Sequence, residues 1–177
     1  MRKWFAMVFL VLVGSTCWAQ DAAPEPTAQH KILAKEVGQW EGVMKAYMDP
    51  NGPPMEMSVV ETNVLLDGGL WLLSEFDAGP FKGRGQFGFD PDKKKFIGTW
   101  LDNQTTALSL MEGTYDEKTG ELTYLSTVKN PATGADTPTK QISKFVNDNQ
   151  REFVAYMQNA DGKTWDKWME ISYKRKK

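Results

Sequence analysis

The sequence predicts an all-β fold: an antiparallel meander of roughly ten strands closed into a barrel, with one short helix before the first strand. Three observations carry this. Apolar and polar residues alternate with period two in run after run, as in Phe87 and Phe89 on one face and Phe96, Gly98 and Trp100 on the next. The runs are joined by short turns rich in Gly, Pro, Asn and Asp, such as Asp90-Pro-Asp-Lys-Lys94. No helical period intervenes between them, so sequential strands are expected side by side. A meander this long tends to close, because closure removes unpaired edges.

The elements follow in order. Arg2 and Lys3 precede an uncharged apolar run, Trp4 to Val13, and then Cys17-Trp18-Ala19. This is the layout of a secretory signal peptide cut after Ala19, and the run is too short for the ~20 residues that span a bilayer. Residues 1–19 are therefore expected to be removed, leaving a periplasmic or secreted chain with no integral membrane segment. Gly14 and Thr16 fit a lipoprotein cut before Cys17 badly. Residues 20–27 form a Pro-Ala-acidic leader, and residues 28–177 form a single domain. Ala28 to Val37 suits a short helix with Thr27 as N-cap, able to plug one mouth of the barrel.

Strands are expected at Gly38–Met48, Met55–Leu66, Leu70–Asp77, the two arms of the hairpin around Pro91, Thr106–Tyr115, Glu121–Lys129, Lys140–Asn147, Glu152–Gln158 and Thr164–Arg175. The segment Asn130 to Pro138 reads as a loop.

Composition excludes several functions. Arg2 and Lys3 leave with the signal peptide, so the formal charge of −2 becomes about −4, which offers no basic field for nucleic acid. The single cysteine, Cys17, leaves too, and ~150 residues can bury a sufficient core without disulfides. His30 is the one imidazole, so neither a zinc site nor a hydrolytic triad can be assembled from the usual ligands. There is no phosphate loop and no nucleophile elbow, and no cofactor is expected.

Two sets of residues are candidates for function. The first is carboxylates on strand faces shared with apolar side chains: Glu61 with Val59, Glu112 with Leu110, and Glu75 with Trp71 and Leu73. One that points inward must be paired or protonated. Arg84 and Arg175 are the partners considered, and Glu75 and Arg84 are the candidate inward charges. The reading favoured for these glutamates is a solvated place on a mixed outer face. The second set is a methionine and aromatic lining, Trp40, Met44, Trp100, Met111, Met157, Met169 and Tyr173, which suits an apolar ligand or fills a core. Gly42 and Gly98, beside these rings, are expected to leave open volume.

The ordered marks His30-x-x-Leu33, Gly38-x-Trp40-x-Gly42, Asp67-Gly68-Gly69, Gly88-Phe89-Asp90, Gly98-x-Trp100-x-Asp102, Gly113-x-x-Asp116, Asp161-Gly162 and Lys167-x-Met169-Glu170-Ile171-x-Tyr173-x-Arg175 resemble a bacterial family. It is catalogued as the domain of unknown function numbered fifteen seventy-nine, and the resemblance spans about Gln29 to Arg175. It implies a small calycin-like barrel similar to lipocalins and nitrobindins, and no activity. Nitrobindin-type barrels hold haem through a histidine late in the chain. His30 lies before the first strand, so haem is not expected. The function expected is binding of a small apolar or amphipathic ligand in the barrel. The alternatives are a carboxylate-based hydrolase and a non-enzymatic envelope protein that meets a partner.

Overall fold

The computed structural model describes residues 23–49, 52–130 and 133–177. The expected signal peptide, residues 1–19, and the start of the expected leader lie outside these residues. A short helix, α1 (Ala28–Ala34), is followed by ten strands: β1 (Gly38–Ala46), β2 (Met55–Leu65), β3 (Trp71–Ala78), β4 (Phe81–Asp90), β5 (Lys95–Asp102), β6 (Ser109–Asp116), β7 (Glu121–Lys129), β8 (Asp136–Asn147), β9 (Gln150–Gln158) and β10 (Trp165–Arg175). Each strand pairs antiparallel with its neighbours in sequence, and β1 closes the barrel on β10 through Trp40↔Arg175 to Ala46↔Met169. No helix among the described residues is long and apolar enough to cross a membrane.

The alternation seen in sequence becomes the inside and outside of the wall. Trp40, Met44 and Ala46 are buried on β1, and Leu72, Ser74, Phe76 and Ala78 on β3. One core cluster gathers Trp40, Met44, Val59, Phe76, Ile171 and Tyr173. A second gathers Leu72, Phe96, Met111, Leu122 and Tyr124, and Leu33 of α1 joins it. The helix thus lies at the mouth where β1 begins and β10 ends, contacting β3 and β4. Gly38 makes the turn from helix to strand at φ +120°, and a Cβ there would fall 2.7 Å from Arg175 Nη1. Both the backbone angle and the approach of the guanidinium demand glycine.

β8 begins four residues before its expected start and includes Pro138. Over Asp136–Pro138 it pairs with β7 alone, the edge position that proline tolerates. The turn chemistry of residues 130–138 masked this, because Thr137 and Thr139 are inward-facing and buried without being apolar.

Candidate functional site

The segment after α1 carries Glu36, and three inward positions at the same end of the barrel face it: Glu61 and Asn63 on β2 and Arg151 on β9. Arg151 is 5% exposed. Its Nη1 donates to Glu36 Oε2, and its Nη2 lies 2.5 Å from Glu61 Oε1. The guanidinium also sits over the rings of Tyr173 and Trp40, 4.2 and 4.9 Å from their centroids. Tyr173 is its cross-strand partner on β10, so the strand register itself places the ring there.

Both carboxylates are further tied down. Tyr173 donates its hydroxyl to Glu61 Oε2 at 2.6 Å, and Asn63 Nδ2 donates to Glu61 Oε1 at 2.7 Å. Ser143 Oγ donates to Glu36 Oε1 at 3.1 Å. The backbone carbonyl of Glu36 accepts from Trp40 Nε1 at 2.8 Å and from Asn63 Nδ2 at 3.2 Å. Glu36 is therefore a hub that ties the helix exit to β1, β2, β8 and β9.

The two glutamates are shifted in opposite directions. Burial pushes the Glu36 carboxyl up, and the attraction of Arg151 does not outweigh that burial together with repulsion from Glu61. Burial also penalises charge on Glu61. There Arg151, with hydrogen bonds from Tyr173 and Asn63, overcomes the penalty and holds the carboxyl below its usual range. The Tyr124 hydroxyl is raised, first by burial and then by the charge of Glu36.

Besides Arg151 Nη2, whose contact is the ion pair with Glu61, three buried polar atoms around this hub find no hydrogen-bond partner among the described residues: Asn63 Oδ1, Tyr124 Oη and Arg151 Nε. A buried polar atom left unpaired costs about 1–3 kcal/mol, and folded proteins keep few of them. Three around one carboxylate mark a place where a further polar group would be stabilised.

From this cluster towards the opposite mouth the interior wall is methionine and aromatic. Met111 is buried, while Trp100, Met157 and Met169 on inward-facing positions are only half-buried, as are Met57 and Phe153. The wall side chains near that mouth therefore keep contact with solvent. Of the predicted lining residues, the structure packs Trp40, Met44 and Tyr173 into the first core cluster and Met111 into the second. Met169 packs against the first, Trp100 against both, and Met157 faces Thr139 across β8.

Three sequence expectations are corrected. Glu75 and Arg84 do not point inward. They pair at 2.8 Å on the outer wall, 64% and 71% exposed, and border an open depression of about 730 Å³ there. The inward carboxylate is Glu61, and its partner is Arg151, not Arg84 or Arg175. Arg175 instead donates to the Lys35 and Val37 carbonyls at the end of α1. Nor do Gly42 and Gly98 leave open volume. A Cβ on Gly98 would lie 2.6 Å from the Phe87 ring, and one on Gly42 would lie 3.0 Å from the Tyr173 ring.

Sequence reasoning missed Glu36 and Arg151. Arg151 stands at the head of an inward series, Arg151, Phe153, Ala155 and Met157, and extending that strand by one residue would have revealed an arginine on an apolar face. Glu36 was expected on the helix, whereas the helix ends at Ala34 and the turn that follows carries Glu36 into the mouth of the barrel. Among the described residues no three His, Cys, Asp or Glu side chains are grouped to hold a metal ion.

Solved structures share this architecture at low identity. The crystal structure of Rv2717c from M. tuberculosis superposes with a TM-score of 0.61 at 11% identity, over 86% of this chain and 100% of that one. The S-type phycobiliprotein lyase CPES from Guillardia theta gives 0.57 at 12% identity, over 85% and 94%. A DUF3598-family protein from Nostoc punctiforme gives 0.50 at 14% identity, over 81% of this chain and 48% of that one. No curated protein sequence matches the chain. The model of the family described as protein of unknown function (DUF1579) matches residues 25–175, and the chain belongs to that family.

Proposed function

We propose that the barrel binds a small amphipathic ligand in its interior, with the apolar part along the methionine and aromatic wall and the polar end at the Glu36 cluster. The observation that carries this is the set of unpartnered atoms on Asn63, Tyr124 and Arg151 at the closed end of a wall whose outer half stays in touch with solvent. Pockets of this kind combine apolar surface with a few placed polar groups. The solved neighbours lend the fold alone. The hydrolase reading is weaker, since Glu36 and Glu61 are both engaged by one guanidinium rather than presented to a substrate.

Nile red, an uncharged fluorescent dye, tests the reading. Saturable binding with energy transfer from tryptophan is expected. Met157→Trp, which adds a ring on the inward face near the open mouth, should weaken binding at least fivefold without loss of fold. Binding that ignores both Met157→Trp and Met169→Trp would place the dye on the outer surface and remove the reading.

A further inference from the structure

Resting on the interior-binding reading, we propose that the polar end this barrel selects is an uncharged hydrogen-bonding group, a hydroxyl or an amide, and that carboxylates and ammonium groups are rejected. An arginine deep in a barrel would ordinarily be the receptor for an anionic head. Here the guanidinium is already claimed on two sides, by Glu36 and by Glu61, and on its faces by Tyr173 and Trp40. The cluster has no net positive charge whether Glu36 is ionised or protonated. A carboxylate entering it would lose its water and gain no free cation, while facing two acidic side chains. An ammonium would lose its water beside Arg151, whose charge burial does not remove.

What the cluster leaves open is neutral chemistry. Asn63 Oδ1 can accept, Tyr124 Oη can donate or accept, and Arg151 Nε–H can donate. A hydroxyl, which donates once and accepts twice, matches this set in kind. An amide offers the same complement through its N–H and carbonyl. The set is built from three different strands, β2, β7 and β9, and Glu36 gathers it from the segment after α1. Its position is therefore fixed by the fold rather than by one flexible loop.

The test compares three probes of equal chain length, 1-decanol, decanoate and decylammonium, by displacement of Nile red from the full mature protein. Because the alcohol partitions into any apolar space more readily, the deciding quantity is how the ratio of affinities responds to substitution. Tyr124→Phe deletes one oxygen and should weaken decanol about fivefold or more while leaving decanoate unchanged. The double variant Glu36→Gln/Glu61→Gln frees the arginine and should improve decanoate relative to decanol at least tenfold. Decanoate binding the native protein more tightly than decanol, or ratios unmoved by the substitutions, would overturn the proposal while leaving interior binding intact. If the double variant does not fold, the native series and Tyr124→Phe decide the matter. If none of the three probes displaces the dye, interior binding and the preference fall together.

Discussion

Arg151 holds a full charge almost out of contact with water, and what makes that tolerable is the pair of carboxylates on either side of it. Removing the cation is therefore worse than removing one acid. Arg151→Met would leave Glu36 and Glu61 buried together without a countercharge, and we expect a loss of about 3–5 kcal/mol in urea unfolding at neutral pH. Part of that loss should return on acidification, as the stranded carboxylates take up protons. A loss below about 1 kcal/mol would mean that water already solvates the cluster. At this scale the sequence was partly legible. Glu61 stood out because it shares a face with Val59, and its buried partner had to exist on charge grounds. Arg151 was one strand residue from being read as an inward cation, but its pairing with Glu61 could not be read, since it is made across the barrel by strands about ninety residues apart in the chain.

Helix α1 gives the chain's one imidazole a structural role. His30 is 5% exposed, stands edge-on to Phe89, and accepts the Thr27 backbone N–H on Nδ1 at 3.0 Å. It occupies the place that Glu or Gln takes in a capping box. The acceptor role needs an unprotonated Nδ1, and burial lowers the ring below its ordinary value of 6.5. Because the folded state disfavours the charged ring, its contribution is fully present above the unfolded value and is lost as pH falls through the folded one. His30→Gln keeps an acceptor and cannot titrate in this range. Native stability should therefore drop relative to the variant between about pH 7 and pH 5 in parallel denaturation series. Parallel curves over that interval would contradict the assignment. Thr27 was legible as the cap, and the helix start followed. Its end came three residues earlier than expected: Lys35, Glu36 and Val37 donate to carbonyls three residues back, a tighter turn, and Arg175, from the far end of the chain, donates to the Lys35 and Val37 carbonyls.

The whole molecule was legible because every strand is bounded by turn chemistry and reports its own inward face. Closure followed from the count of strands and the cost of open edges, and the register of β1 on β10 realises it. What the pattern could not convey is the interior's division into a sealed polar end and a half-buried methionine end. Period two says which side chains enter the barrel, and says nothing of their depth or of which strands meet across it. Glu75 and Arg84 illustrate the limit: Glu75 sits among Trp71 and Leu73 in sequence, yet it shares its face with Trp71, which is itself on the outer wall. Interior binding requires the two ends of the interior to act as one site. Crystallographic electron density of the protein grown with 1-decanol tests this directly. A decyl chain is expected inside the barrel along Met157 and Met169, with its hydroxyl in hydrogen-bond contact with Tyr124 Oη. A chain lying in the outer depression beside Leu101, with only water at Tyr124, would contradict it.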